Sequence, residues 1–235
     1  MNIGGLVSFT TIDFPERLSA VVFCQGCPNR CPFCHNPELQ SADKKGDIPW
    51  NSVLDLLTQR KNLLDGVVFS GGEPLLQPDL DVSIRQVKEL GYAVALHTSG
   101  VLPDALQKVL PDVEWIGLDI KSDFSKYAAA SGTSENLNAG QKVLKSLDLI
   151  LASGIDFEVR TTTDPRIVSK EDILNLAEFL SKKGVKSYAL QEYCPVNNPK
   201  FAEPSVEDIK SFYLDLDFLQ KVGQFFDKFE IRTAN

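Results

Sequence analysis

The chain has little positive charge and no long apolar run, and each shortage excludes a class of function. Its 235 residues include 24 Lys and Arg against 32 Asp and Glu, a formal net charge of −8. Such a chain repels phosphate backbones and anionic lipid surfaces, so nucleic-acid binding is not expected. No apolar stretch approaches the roughly 18 residues of a membrane span, and residues 1–20 lack the basic and apolar regions of a signal peptide. We expect a cytoplasmic protein with no membrane partner.

The chain also lacks internal repeats, low-complexity tracts and linkers long enough to divide it. Hydrophobic residues make up 43% of the sequence, which is enough for one large core and too much for intrinsic disorder. We therefore predict a single domain over residues 1–235. Its core barrel is expected at about 17–195 and a C-terminal extension at about 203–235.

Short β-type runs alternate with helical patterns after an irregular opening. The predicted strands are Ala20–Phe23, Val67–Phe69, Ala93–Leu96, Trp115–Ile120, Phe157–Thr161 and Ser187–Leu190. One helical pattern begins with Ser169 followed three residues later by Asp172, which resembles a capping box. Six β units with helical crossovers predict an α/β fold with a parallel sheet, either open or curled into a barrel.

The C-terminal part shows a helical pattern followed by a final strand. The pattern predicts one helix from about Pro204 to Gln220 and a strand at Lys228–Arg232. Phe212, Leu216 and Leu219 recur at helical spacing and are expected in the core.

Within the predicted strands, an apolar face alternates with polar side chains. The polar positions are His97, Asp119, Lys121, Glu158, Arg160 and Gln191. In a parallel barrel one strand face packs on the outer helices and the other faces the interior. Charged groups there cost desolvation energy unless they pair or meet a ligand. We therefore expect a polar binding cavity near the C-terminal strand ends; the alternative is that some of these strands lie at a sheet edge, with one face in water.

Four of the five cysteines fall within eleven residues, at positions 24, 27, 31 and 34. In a reducing compartment this clustering is typical of metal ligands or redox groups. Zinc sites usually separate their two Cys-x-x-Cys pairs by a dozen residues or more, whereas tight runs favour an iron-sulfur cluster. Two arrangements stay open: all four cysteines bind an electron-transfer cluster, or Cys27, Cys31 and Cys34 bind three irons and leave the fourth iron open.

A second motif, Gly71-Gly72-Glu73-Pro74, directly follows the second predicted strand. Paired glycines at a strand end let the backbone approach a ligand closely, and the glutamate adds an anion for a ligand amine. Taken alone, the motif is equally compatible with a turn that carries a solvated glutamate.

Together these motifs resemble the radical S-adenosylmethionine superfamily. The resemblance is carried by Cys27-x3-Cys31-x-Phe33-Cys34, by Gly71-Gly72-Glu73-Pro74 and by the order of the strands. The stretches Thr11–Pro15, Cys34–Leu39, His97–Gly100 and Gly117–Lys121 are similar to the activating proteins of glycyl-radical enzymes, and most of all to those of anaerobic ribonucleoside-triphosphate reductases. The resemblance implies a partial (β/α)6 TIM-like barrel of the radical SAM type, with a C-terminal helix and strand extension.

The resemblance also implies a set of site residues. Cys27, Cys31 and Cys34 would hold a [4Fe-4S] cluster whose fourth iron binds S-adenosylmethionine, and no catalytic residue is expected beyond these two cofactors. The expected cofactor-binding residues are Phe33 near the adenine, Gly71, Gly72 and Glu73 at the methionyl amine, Lys121 at the carboxylate, and Asp119, Arg160, His97, Ser99 and Gln191 around them. His97 is alternatively a hydrogen-bonded core histidine. Cys24 is surplus, and is expected as a buried residue, a spare ligand or a redox-sensitive neighbour.

The function implied by the resemblance is the activation of another enzyme. Reductive cleavage of S-adenosylmethionine would give a 5′-deoxyadenosyl radical, which would generate a glycyl radical on an anaerobic (class III) ribonucleoside-triphosphate reductase. Reduced flavodoxin or ferredoxin would donate the electron. The alternatives are an activase of the pyruvate formate-lyase type, a radical SAM enzyme on a small molecule similar to 7-carboxy-7-deazaguanine synthase, and a non-enzymatic iron-sulfur electron carrier or zinc-binding module.

Overall fold

Strands and helices alternate along the chain in the computed structural model, which describes residues 1–133, 138–196 and 202–233. The strands are β1 (Ile3–Thr10), β2 (Ser19–Cys24), β3 (Gly66–Gly71), β4 (Ala93–Thr98), β5 (Trp115–Asp119), β6 (Asp156–Thr163), β7 (Ser187–Glu192) and β8 (Lys228–Arg232). The helices are α1 (Trp50–Gln59), α2 (Leu80–Glu89), α3 (Pro103–Val109), α4 (Tyr127–Ser131), α5 (Ala139–Ser153), α6 (Lys170–Lys183), α7 (Val206–Ser211) and α8 (Leu216–Gly223). Within the described ranges, none of these helices combines the length and the apolar character that a membrane crossing needs.

The strands belong to one sheet whose order follows the chain from β1 to β8. Strands β2 to β5 pair in parallel, as do β6 to β8. The predicted α/β fold class is confirmed, and each of the six predicted inner strands and the predicted final strand is present.

The opening of the chain is not irregular, and that expectation was wrong. Residues Ile3–Thr10 form β1, which pairs antiparallel with β2 at one edge of the sheet. Gly4 and Gly5 weaken the strand pattern in the sequence, because glycine is depleted in strands and often marks a bulge. The register indeed shifts between Ile3 and Gly5.

The chain divides into two compact units. The first comprises Met1–Pro28, Asn36–Leu118 and Lys145–Phe157, and the second comprises Asn29–His35, Asp119–Leu144 and Glu158–Asn235. The single domain with a core barrel at about 17–195 stays a prediction.

The first unit is built on strands that are buried on both faces. Val67, Val68 and Phe69 of β3 are all completely inaccessible to solvent. Parallel strands that are covered on both sides have continuous apolar runs of this kind, without alternation. One core cluster consists of Phe14, Val21, Val68, Ala93 and Ala95, with Phe23 and Trp115 packed against it.

The second unit shows the helix start that the sequence predicted. The Ser169 side chain accepts a hydrogen bond from the Asp172 backbone N–H, and the Asp172 carboxylate accepts one from the Ser169 backbone N–H, so the capping box of α6 is confirmed. The apolar face of α6 is buried and consists of Ile173, Leu176, Ala177 and Leu180. Gly184 ends the helix in a left-handed conformation.

The C-terminal segment contains two helices where one was predicted. The Asp215 carboxylate accepts a hydrogen bond from the Phe218 backbone N–H at 3.0 Å and so starts α8 as a separate helix. Phe212 and Leu219 are buried as predicted, but Leu216 is 74% exposed and its core assignment was wrong. The helical phase restarts at Leu216, the first residue of α8, so the spacing counted from Phe212 does not continue.

Candidate functional site

Cys24 ends β2 and is a buried strand residue. Its side chain is completely inaccessible, and its backbone carbonyl accepts a hydrogen bond from the Gly72 N–H at 2.9 Å. Burial raises the pKa of the Cys24 thiol far above its ordinary value, and the carboxylate of Glu73 raises it further. A thiol in these surroundings is protonated and unreactive at neutral pH.

The next three cysteines differ in exposure. Cys31 is buried, Cys27 and Cys34 are partly exposed, and none of them forms a disulfide. The Cys34 N–H donates to the Cys31 carbonyl at 3.3 Å, which folds the Cys31–Cys34 segment into a turn. Burial raises the pKa of the Cys31 thiol, while the ammonium of Lys121 acts in the opposite direction.

The segment between Cys27 and Cys31 is hydrogen-bonded to the C-terminal end of α4. The Ser131 carbonyl accepts a hydrogen bond from the Arg30 N–H at 2.8 Å and lies 3.8 Å from the Cys31 Sγ. Gly132 has φ +63°, and a Cβ at this position would lie 2.1 Å from the Arg30 carbonyl oxygen. Any larger residue at position 132 would therefore displace the loop that carries Cys31.

The Gly71-Gly72-Glu73 turn lies against the backbone that precedes Cys27. The Glu73 N–H donates to the Gly26 carbonyl at 2.9 Å. A Cβ on Gly71 would lie 2.5 Å from the Cys24 nitrogen, and one on Gly72 would lie 2.3 Å from the Gly26 oxygen. Only glycine fits at both positions, so the approach of the two backbone segments explains the paired glycines.

The Glu73 carboxylate is completely buried and accepts four hydrogen bonds from protein groups. Oε1 accepts from the Leu75 N–H at 3.2 Å and from the Thr98 hydroxyl at 2.7 Å. Oε2 accepts from both the N–H and the hydroxyl of Ser99. Burial raises the pKa of Glu73 and these bonds oppose the shift, with a net increase. The Glu73 carboxylate is thus bonded within the protein, where it fixes the turn, and the cofactor contacts expected at Gly71, Gly72 and Glu73 stay predictions.

His97, at the end of β4, makes contacts on several sides. Its Nδ1 lies 3.4 Å from the Ser70 hydroxyl and its Nε2 lies 2.9 Å from the Asp13 carbonyl. The edge of the ring also packs on Trp115, with ring centroids 5.7 Å apart. These contacts give the half-buried His97 hydrogen-bond partners within the protein, and both the core-histidine alternative and the cofactor contact stay predictions.

In the second unit, the predicted charged residues of β5 and β6 meet. Arg160 Nε donates to Asp119 Oδ1 at 2.8 Å, and Arg160 is 8% exposed. Lys121 Nζ lies 5.7 Å from the centroid of the Phe33 ring, a cation-π contact. Gln191 is a partly buried residue of β7 whose carbonyl accepts from the Thr163 hydroxyl at 3.3 Å. The structure thus brings together Asp119 with Arg160, and Lys121 with Phe33.

Four further residues contact or neighbour the candidate site residues and were not predicted from the sequence. Thr98 binds Glu73; Tyr127 donates its hydroxyl to the Asp119 carbonyl at 3.2 Å; Tyr193 packs on Cys31 and Phe33; and Asn29 lies buried inside the cysteine segment. Asn29 lies inside the Cys27–Cys31 motif and Thr98 inside the His97–Gly100 stretch, so their place in these motifs was the available signal. No local pattern distinguishes Tyr127 or Tyr193 from other buried tyrosines.

Comparison with known proteins gives matches over most of the chain. The model of the family described as the radical SAM superfamily matches residues 21–180. A Methanocaldococcus jannaschii protein, named as a candidate glycyl-radical enzyme activating enzyme, is 33% identical over 198 residues, which cover 82% of this chain and 80% of that protein. The pyruvate formate-lyase-activating enzyme of Clostridium pasteurianum is 30% identical over 201 residues, covering 83% and 81%.

Among solved structures, Streptococcus suis SuiB bound to S-adenosylmethionine superposes with a TM-score of 0.67 at 16% identity. The match covers 90% of this chain and 48% of SuiB, so the chain spans about half the length of that protein. At this identity the likeness shows the fold, and it confirms the expected barrel-type α/β fold.

We expect the Thr98 hydroxyl to contribute to the free energy of unfolding, because it donates to the buried Glu73 carboxylate. Thr98→Val removes one donor from a buried carboxylate, so we expect the free energy of unfolding to fall by about 1–3 kcal/mol. Urea denaturation monitored by circular dichroism measures it. The matched control is Thr58→Val on the exposed face of α1, where the hydroxyl donates only to the Leu54 carbonyl and the change should stay within about 0.5 kcal/mol. Equal losses in both variants would contradict a special role for the Glu73 network.

Proposed function

The chain belongs to the radical SAM superfamily and, within it, to the glycyl-radical enzyme activating enzymes, and from that premise we propose that its substrate is an anaerobic ribonucleoside-triphosphate reductase. The cofactors of such an enzyme are a [4Fe-4S] cluster and S-adenosylmethionine. The observation that supports the cofactor site is the packing of the Gly71–Glu73 turn on the Cys24–Gly26 backbone, directly before Cys27. It supports a common role for the two motifs.

The donor set of the cysteine segment fits an iron-sulfur cluster. Cys27, Cys31 and Cys34 are thiols on one short loop, as ligation of three irons requires. A mononuclear zinc site would need four ligands around a single ion. Among the described residues, no group of three or more His, Cys, Asp or Glu side chains is arranged to hold a metal ion. Cys27, Cys31 and Cys34 would hold such a cluster, whereas Cys24, the fourth cysteine of the segment, lies buried in β2.

The side chains have separable roles in this proposal. Cys27, Cys31 and Cys34 hold the cluster, which when bound supplies the electron for reductive cleavage of S-adenosylmethionine. The main chain of Gly71–Glu73 receives the methionyl amine. Lys121 neutralises the methionyl carboxylate. The remaining expected cofactor-binding residues are Phe33 at the adenine and Asp119, Arg160, His97, Ser99 and Gln191 around the bound cofactor.

The protein partner is inferred from sequence similarity and charge. The resemblance of Cys34–Leu39, His97–Gly100 and Gly117–Lys121 to activating proteins of the reductase supports this partner. A net charge of −8 suits a macromolecular substrate that is not a nucleic acid. Reduced flavodoxin or ferredoxin would supply the electron. The second candidate is activation of pyruvate formate-lyase, favoured by the 30% identity to the Clostridium pasteurianum enzyme.

We expect Cys31 to be a cluster ligand and Cys24 not to be one. Cys31→Ala should lose the cluster, because it removes one of three thiolates, whereas Cys24→Ala should retain it, because Cys24 is a buried residue of β2. Iron and acid-labile sulfide per chain, after anaerobic reconstitution, measure both outcomes. Loss of the cluster from Cys24→Ala would favour four-cysteine ligation. Stoichiometric zinc without iron in the unmodified protein would overturn the proposal.

Lys121 is expected to contribute to the binding of S-adenosylmethionine. A charge-assisted interaction of about 1.5–3 kcal/mol corresponds to a 10- to 100-fold weaker Kd in Lys121→Ala. Equilibrium dialysis against labelled S-adenosylmethionine with the reconstituted enzyme measures the change. The control is Lys126→Ala, whose ammonium is exposed and pairs with Asp172 at 2.7 Å. Unchanged affinity in Lys121→Ala would remove Lys121 from the site.

The partner is tested by mixing the reduced, reconstituted enzyme and S-adenosylmethionine with each candidate in turn. We expect electron paramagnetic resonance to detect a glycyl radical on the anaerobic ribonucleoside-triphosphate reductase. A signal on pyruvate formate-lyase alone would support the second candidate. Reductive cleavage of S-adenosylmethionine without a radical on either protein would indicate a different substrate.

A further inference from the structure

Asn29 lies inside the cysteine segment and has a buried donor without a partner. The residue is 2% exposed, and its side-chain Nδ2 makes no hydrogen bond in the structure. An unpaired buried N–H group is unfavourable, and most buried amide groups have a partner. The amide of Asn29 is therefore a candidate donor to something that binds in this segment.

The backbone at Asn29 and Arg30 is held by hydrogen bonds. The Arg30 guanidinium donates to the Asn29 carbonyl at 2.7 Å. The Arg30 N–H donates to the Ser131 carbonyl at 2.8 Å, and Gly132 touches the same loop. These contacts hold the backbone of residues 29 and 30 in place, while the Asn29 Nδ2 has no hydrogen-bond partner.

The nature of the missing acceptor follows from the neighbouring residues. Asn29 lies between Cys27 and Cys31 in sequence, two of the three proposed cluster ligands. The sulfurs of an iron-sulfur cluster carry negative charge and accept N–H hydrogen bonds, which are among the factors that set the reduction potential. A sulfur of the cluster or of its ligands would give the buried donor the acceptor that it lacks.

We propose that the Asn29 side-chain amide donates a hydrogen bond to a sulfur atom of the cluster or of its ligands, and that this bond raises the cluster reduction potential. This inference rests on the proposed function. The direction follows from charge, because reduction makes the cluster more negative and so strengthens an N–H donor bond to it. Asn29 is thus a cofactor-contacting residue, separate from the three ligands.

The experiment is a redox titration of the reconstituted enzyme without S-adenosylmethionine, followed by electron paramagnetic resonance. Asn29→Leu removes the donor at nearly constant size, and Asn29→Asp replaces it with an acceptor. We expect a midpoint potential more negative than that of the unmodified enzyme in both variants, with a larger shift in Asn29→Asp. Unchanged or more positive potentials in the two variants would overturn the inference.

Tyr92→Phe is the matched control for general destabilisation. The Tyr92 hydroxyl is also a buried donor, but it has a protein acceptor, the Leu57 carbonyl at 2.7 Å. Its removal should lower the melting temperature and leave the midpoint potential unchanged. A shift in Tyr92→Phe as large as that in Asn29→Leu would show that the potential responds to loss of stability, and would also overturn the inference.

A measurement on the unmodified enzyme covers the case in which the variants do not assemble a cluster. With ¹⁵N-labelled asparagine, electron-nuclear double resonance of the reduced cluster should detect a ¹⁵N coupling and an exchangeable proton that disappears in D2O. Absence of both would overturn the inference. An unmodified chain that takes up no iron-sulfur cluster would instead refute the proposed function, so the two failures are distinguishable.

Discussion

The buried carboxylate of Glu73 is the constraint on which the glycine turn depends. Its two oxygens accept bonds from Leu75, Thr98 and Ser99, and so connect the end of β3 to the end of β4. A buried carboxylate is tolerated only when it is hydrogen-bonded, so the loss of one of these contacts weakens the whole group. The N–H of Glu73 then attaches the turn to Gly26. The side chain thus places the main chain of Gly71 and Gly72 through bonds that all lie within the protein.

In the second unit, the short helix α4 has a comparable role. At its N-terminal end the Tyr127 hydroxyl donates to the Asp119 carbonyl, and at its C-terminal end the Ser131 carbonyl accepts from Arg30. A helix of five residues has little intrinsic stability in water. It persists because both of its ends are bound to other segments, and it therefore fixes the end of β5 and the cysteine loop at the same time.

The features that the sequence predicted are those with local causes. The inner strands follow from branched and aromatic runs such as Val67–Phe69, and the capping box of α6 follows from two residues three positions apart. The spacing of the three cysteines also lies within a few residues. Features that depend on distant partners were missed. The burial of the unpaired Asn29 Nδ2 depends on a loop that is bonded to Ser131, about one hundred positions away, so no local pattern predicts it. The exposure of Leu216 likewise depends on where Asp215 restarts a helix.

The unequal burial of the cysteines has a consequence for the chain before it acquires any cofactor. Oxidants attack thiolates that solvent can reach, and a buried thiol with a raised pKa reacts slowly. Cys31 is such a thiol, whereas Cys27 and Cys34 are partly exposed. In a cofactor-free preparation, air would therefore oxidise Cys27 and Cys34 before Cys31. The buried thiols of Cys24 and Cys31 would remain, so the number of free thiols per chain would fall before either of them reacted.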